Sequence, residues 1–305
     1  MKIILFGVVA VFATVQVQSI PLPENDQNDW IHSGKFEGDM MLGHGQKNGL
    51  LEAKYRWSNR EIPYEIGPEY TAAEREFIKN ALSVFNQTCL KVRERVSTDK
   101  NYVLITGQEK GCWSYVGVQG GMQKLNMNQT CCCKTSTTVV HEFLHTVGFY
   151  HMQSNFNRDD YVTILYENII KGEEFNFQKY TSNYVTDFGL PYDYGSIMHY
   201  PRKAFSISYY LDTIVPKDPT AVIGEATQMS AIDLAKIKAI YLSEKEIFAE
   251  ISKIEAGESD SESIDDSDSE TEDAILSYHD YEDEPSDSYE NDDDMKVSLE
   301  DESLG

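Results

Sequence analysis

The stretch His141-Glu-Phe-Leu-His-Thr-Val-Gly-Phe-Tyr-His151 constrains this chain more than any other. On a helix, His141 and His145 are four residues apart, so they share a face one turn apart and both imidazoles reach a single ion. Glu142, next to the first of them, is placed to take a proton from water on that ion without being a ligand itself. Val140, Phe143, Leu144 and Val147 give the same helix a face to bury. Gly148 then tolerates the left-handed conformation needed to leave the helix sharply, so that His151 returns as a third ligand. Three neutral nitrogens leave a zinc position open to water, the mark of a catalytic rather than a structural site.

The ends of the chain say where such a site would work. Met1-Lys2, the apolar run Ile3 to Val15 and the small residues Val17 and Ser19 read as a secretory signal peptide over residues 1–19. No later run reaches the roughly 20 apolar residues of a membrane span, so a secreted, extracellular protein is expected. An oxidising compartment favours disulfides among the five cysteines, Cys89, Cys112, Cys131, Cys132 and Cys133, and the odd count leaves one over within the chain. Asn86-Gln-Thr88 and Asn128-Gln-Thr130 are glycosylation acceptors, with Asn86 and Asn128 as the candidate sites. The formal charge of −25 belongs to the C-terminus: residues 250–305 hold 23 Asp or Glu against Lys253 and Lys296, a net of −21 that leaves −4 for everything before. With few large apolar residues between its acids, the segment 244–305 is expected to be disordered. Such a tail suits calcium or a basic protein as partner, through attraction that salt weakens. Tyr281 and Tyr289 precede acids as sulfation sites do, and Ser288 and Ser298 suit secretory phosphorylation. No basic stripe or nucleotide-binding loop is present, and nucleic acid is not an expected partner.

Between the ends, residues 20–47 are polar and aperiodic and finish at Lys47, consistent with a pro-segment removed by a trypsin-like protease. Glu61 to Ile66 alternates like a strand, and Thr71-Ala-Ala-Glu74 is a capping box that opens a helix with Phe77, Ile78, Ala81, Leu82 and Phe85 on its apolar face. Tyr102 to Thr106 and Trp113 to Val118 read as strands, Thr137 to Val147 as the histidine helix, and Ser230 with Asp233 as the start of a third helix running to about Leu242. One mixed α+β domain over 48–243 accounts for these elements.

The pattern H-E-x-x-H-x-x-G-x-x-H is the metzincin signature, which calls for a methionine turn downstream, and Ser196-Ile-Met198-His-Tyr200 supplies one. Together with Phe149-Tyr150, Arg158-Asp-Asp-Tyr-Val162, Cys112-Trp-Ser-Tyr-Val-Gly117 and Gly120-Gly121, these residues make the chain from about 36 to 243 resemble the astacin metallopeptidases. The resemblance implies a two-lobed, zincin-like catalytic domain with a mixed twisted sheet, an active-site helix and a Met-turn. It implies one Zn2+ per chain on His141, His145 and His151, with Glu142 as general base, Met198 as the apolar floor beneath the metal, and Tyr200 as an additional ligand that swings away to hydrogen-bond the tetrahedral intermediate. Protein or peptide substrates would pair through their backbone with the strand at Trp113 to Val118. Phe36-Glu-Gly-Asp39 resembles the family's latency motif, in which the Asp39 carboxylate takes the position that water needs.

The chain also departs from the family. Met152 stands where glutamate usually helps to hold the freed N-terminus, so anchoring of the mature terminus rather than chemistry is expected to suffer. Cys112 and Cys133 resemble one family disulfide. Cys89 resembles half of the other, but Ser243 occupies its partner's place, which leaves Cys89 to pair with Cys131 or Cys132, or these two with each other. Arg202 and Lys203, just after Tyr200, are candidates for favouring acidic substrate residues. Two functions compete: a latent zinc endopeptidase, and a secreted binding protein that acts through its tail on a peptidase-like fold. The intact set of His141, Glu142, His145, His151 and Tyr200 favours the enzyme.

Overall fold

In a computed structural model of the chain, residues 33–43, 53–130, 135–182 and 185–255 are described. The expected signal peptide, Lys47, Cys131 to Cys133 and the tail beyond residue 255, with its modification sites, lie outside them. In chain order the main elements are β1 (Met40–Met41), β2 (Glu61–Ile66), α1 (Ala72–Leu82), β3 (Lys91–Glu94), β4 (Tyr102–Thr106), β5 (Cys112–Tyr115), β6 (Met122–Met127), α2 (Ser136–Val147), β7 (Val162–Ile164), β8 (Ile214–Pro216), α3 (Ala231–Tyr241) and α4 (Glu244–Glu255).

Six strands form one sheet in the order β1-β5-β6-β4-β2-β3, in which only β5 and β6 run antiparallel. The central strand β4 buries Val103 and Ile105 completely, as a parallel strand covered on its faces requires. α1 begins at the capping box read from the sequence, with the Thr71 side chain on the Glu74 backbone and the Glu74 carboxylate returning to Thr71. The helix ends at Leu82, and Phe85 completes its apolar face from a 3-10 turn over Ser83–Gln87. There Phe85 meets Phe143 of α2 with ring centroids 5.1 Å apart, both side chains fully buried. These rings join Ile62, Ile78, Leu125 and Leu144 in the main core, between the sheet and the two helices.

A second, separate core gathers Val162, Ile169, Phe177, Tyr192, Phe205 and Ile214 around the antiparallel pair β7–β8. The domain is therefore two-lobed and α+β, with α2 ending between the cores. Cys112 is disulfide-bonded, and its partner lies outside the described residues. Cys89 is a half-buried thiol packed against the main core. The strand expected over Trp113 to Val118 is shorter, because Gly117 turns the chain at φ 68. The first residues of the segment expected to be disordered form α4 instead: the Ser243 hydroxyl accepts from the Glu246 backbone and the Glu246 carboxylate accepts from Ser243, a capping box that the acidity count passed over. No helix among the described residues is long and apolar enough to cross a membrane.

Phe143→Ala is expected to cost about 3–5 kcal/mol in urea unfolding, through lost burial and the cavity left beside Phe85. Phe175→Ala, at a ring 42% exposed, should stay within about 0.5 kcal/mol.

Candidate metal centre

The histidine helix starts where the Thr135 hydroxyl accepts from the Thr138 backbone, and it ends on the glycine that the sequence marked. Gly148 has φ 127; its N–H donates to His145 O at 2.9 Å while the Phe149 N–H donates to Leu144 O at 3.0 Å, the paired bonds of a Schellman turn. That turn brings His151 back beside His141 and His145. Each imidazole is aimed from behind. His141 Nδ1 donates to Ile197 O at 2.8 Å, His145 Nδ1 to Phe149 O at 2.8 Å, and His151 Nδ1 to Glu37 Oε2 at 2.9 Å. With their hydrogens committed outward, all three rings turn an Nε2 lone pair toward one point.

The Asp39 carboxylate faces them as a fourth group, its Oδ2 3.2 Å from His141 Nε2 and its Oδ1 3.4 Å from His145 Nε2 and 3.3 Å from His151 Nε2, while His141 and His151 Nε2 are 3.2 Å apart. A tetrahedral zinc with bonds of about 2.0–2.1 Å sets its ligand atoms about 3.3 Å apart. These four spacings are close to such an edge, so three imidazole nitrogens and one carboxylate fit Zn2+ in both donor type and size. Asp39 Oδ1 and His145 Nε2 are buried without a hydrogen-bond partner, as atoms reserved for a cation are. The protein's own charges crowd here as well. Burial pushes His145 down to about 4, whereas at His151 burial is outweighed by Asp39 and Glu37, which lift it to about 9, so a cation bound here would displace a proton from that ring.

Glu142 points into the same interior, fully buried, with neither carboxylate oxygen hydrogen-bonded. Burial, and then the Asp39 carboxylate, push its carboxyl well above the usual range. A buried acid with no partner is costly, and such costs gather at sites of chemistry. Met198, one residue past the Ile197 carbonyl that holds His141, is fully buried, and the Tyr200 ring lies 4.6 Å from that of His151 while its hydroxyl makes a short hydrogen bond to Glu37 O. Asp233, at the start of α3, holds this turn: its carboxylate accepts from Ser196 Oγ at 2.6 Å and Ile197 N at 3.1 Å, and the Ile197 carbonyl then orients His141.

Residues 33–43 lie across the centre. β1 pairs in parallel with the outer edge of β5, Met40 opposite Ser114, and Lys35 Nζ sits 4.6 Å from the centroid of the Trp113 ring. The three histidines, Asp39, Glu142, Met198 and Tyr200, expected from the sequence, are thus brought to one place. Asp233 is legible in the sequence only as a helix cap and Glu37 only as a member of the Phe36-Glu-Gly-Asp39 stretch, and Ser154 and Tyr180 carry no sequence mark, since their contacts to Glu37 span more than a hundred positions. Met152 is buried, with Lys236 Nζ from α3 3.0 Å from its sulfur, so a cation of the chain already occupies the space beside it. Arg202 and Lys203 both pair with Asp212, at 3.4 and 2.8 Å, which directs their charge within the lobe. Asn86 is exposed, whereas Asn128 Nδ2, the atom a glycan would take, donates to Glu109 O at 2.9 Å.

A zinc-sized cluster of three histidines on a helix and its glycine turn, with a buried glutamate beside them and a methionine turn below, defines the zinc metallopeptidase class. Residues 50–242 match the model of the Astacin peptidase family. The chain belongs to the astacin family. It is 34% identical over 216 residues to zinc metalloproteinase nas-4 of Caenorhabditis elegans, covering 67% of this chain and 68% of that protein. It is 36% identical over 208 residues to nas-7 of the same organism, covering 68% of this chain and 53% of that protein. Among solved structures it resembles high choriolytic enzyme 1, a hatching enzyme zinc-protease from Oryzias latipes, with 38% identity, a TM-score of 0.57, and coverage of 61% of this chain and 92% of that one. The chain spans about half the length of some of the curated relatives it matches, nas-7 among them.

Asp233→Ala is expected to weaken zinc binding about 10–100-fold, because the Met-turn carbonyl that orients His141 loses its anchor. Competition against a chromogenic chelator measures this, and unchanged affinity would count against the linkage.

Proposed function

We propose that the chain is a secreted zinc endopeptidase made as a latent precursor, with residues 1–19 as signal peptide, 20–47 as pro-segment and Asp39 as its zinc switch. The observation that carries the reading is the Asp39 carboxylate at the apex of a zinc-sized tetrahedron whose other corners are His141, His145 and His151. Bound there, zinc would supply a Lewis acid for a peptide carbonyl and an acidified water.

The chain's own residues do the rest. Once the pro-segment leaves, the edge of β5 offers its backbone groups to an extended peptide, as it now does to β1 through Ser114 N and Asp39 O at 2.9 Å. Glu142 loses the neighbouring Asp39 charge that helps to hold its proton, and as a carboxylate it takes a proton from water and hands it to the leaving amine. Tyr200, released from Glu37 O, donates its hydroxyl to the oxygen on which charge develops. Lys236 already fills the space beside Met152, so the mature terminus has no acceptor there, and catalysis proceeds without that anchor.

Cleaved after Lys47, the protein should hold about one zinc per chain and degrade a denatured protein mixture. Glu142→Ala should keep the zinc and lose activity by about 10²–10⁴-fold. Zinc bound with no turnover in the unsubstituted protein would reject the peptidase. In the uncleaved chain, Asp39→Ala should raise basal hydrolysis severalfold, and no rise would remove Asp39 from the latency role.

A further inference from the structure

We propose that Lys236 is a positioning residue for the zinc centre: its buried ammonium balances the carboxylates of Asp193 and Asp233, which together hold the Met-turn behind His141. This role concerns zinc binding alone, so it can be tested whether or not the chain hydrolyses peptides.

Lys236 follows Asp233 by three residues on α3, so the two side chains share a face of the helix. Lysine is rarely buried without a counter-charge, yet Lys236 is only 7% exposed, and its Nζ lies 3.0 Å from Met152 Sδ, an uncharged and weak acceptor. Burial draws its pKa below the ordinary lysine value, and the carboxylates of Asp233, Asp193 and Asp187, in that order, oppose the fall. Asp193 and Asp233 are themselves buried, at 6% and 0% exposure.

The two acids grip one short segment. Asp193 accepts from Ser230 Oγ at 2.5 Å and from Gly195 N at 2.9 Å, while Asp233 accepts from Ser196 Oγ at 2.6 Å and from Ile197 N and Ser230 N, both at 3.1 Å. The three backbone N–H groups can only donate. Both hydroxyls already accept from a backbone N–H, Ser196 from Met198 and Ser230 from Asp233, and so turn their hydrogens to the acids. The network suits two carboxylates, and a proton on either acid would cost it a donor. From the gripped segment the path to the metal is short, since the Ile197 carbonyl holds His141 Nδ1 at 2.8 Å.

Two buried carboxylates joined through Ser230 repel. Burial, and then Asp233, push the Asp193 carboxyl up to about 6, against the pull of Ser230 and Lys236. Asp187 adds negative charge near Lys236, His199 is held neutral by burial at about 4, and burial keeps Tyr192 a phenol. With the ammonium gone, one acid takes a proton near neutral pH and its grip on the segment loosens.

In the full-length chain, the zinc affinity of Lys236→Met, read by competition with a chromogenic chelator, is expected to fall about tenfold near neutral pH. The deficit should shrink below about pH 6, where Asp193 takes a proton in the unsubstituted protein as well. Adding Asp193→Asn to Lys236→Met should restore most of the affinity near neutral pH. A side chain that merely fills space gives a deficit that is independent of pH and that Asp193→Asn does not relieve; either result overturns the proposal, as does unchanged affinity. Where Lys236→Met fails to fold, the chain with both substitutions is expected to fold, because the repulsion has gone with one of its charges, and failure of both alike rejects the role.

Discussion

His141 and His151 bring their Nε2 atoms to 3.2 Å of each other, and all three histidines crowd the Asp39 carboxylate at 3.2–3.4 Å, an arrangement that the rest of the domain is built to hold. Each ring is pinned through Nδ1 by an acceptor from a different part of the chain: Ile197 of the Met-turn, Phe149 of the helix-ending turn and Glu37 of the segment over residues 33–43. Those acceptors are held in turn. Ile197 depends on Asp233 and so on α3; Phe149 depends on the Schellman bonds at Gly148; Glu37 depends on a strained turn between Lys35 and Met40. The two cores supply the rigidity. Phe143 and Leu144 lock α2 into the main core on one side, while Tyr200 belongs to the second core on the other, so the histidines sit where the lobes meet. A cation at their centre would draw these groups together, and their spacing fits zinc.

The sheet and the helix carry the site between them. The Trp57 indole N–H donates to Thr146 O at 2.8 Å, the Ser114 and Thr146 hydroxyls meet at 2.9 Å, and Gly117 N donates to His145 O at 2.8 Å. These bonds run from the loop before β2, from β5 and from the turn after it to the last turn of α2. They set the distance between the edge where a peptide would lie and the histidines that would act on it. Trp57 and Thr146 carry no motif of their own, yet moving either would shift the cleft relative to the metal position.

What was legible in the sequence was local or strongly periodic. The four-residue pitch of His141 and His145, the glycine at 148, and the capping boxes at Thr71 and Ser230 each encode their geometry within one or two turns, and each reappears in the structure. The short strands β3, β7 and β8 were not legible, because three or four residues hold too little alternation to separate strand from loop. The helix at Glu244–Glu255 was hidden by its acidic composition, although Ser243 and Glu246 carry the capping signal in plain form. The least visible features join distant segments: Glu37 to Ser154 and Tyr180, Asp233 to the Met-turn, Lys236 to Met152. No spacing rule predicts such pairs, since the intervening chain contributes nothing to them but length.

On the proposed reading, the segment over residues 33–43 illustrates why a peptide lying in a peptidase cleft need not be a substrate. It joins the β5 edge as a strand would, but in parallel, and just before that strand Glu37 and Gly38 both take left-handed backbone angles, φ 45 and 83. The turn they make lifts the main chain and delivers a side-chain carboxylate, not a peptide carbonyl, to the three histidines. On the proposed reading, hydrolysis would need both a scissile carbonyl and a water at that point, and Asp39 takes the room of both. Burial, and then the same charge, push the Glu142 carboxyl well above the usual range. On the same reading, the room that Asp39 takes is freed by one event, the departure of the turn at Lys35 to Met40.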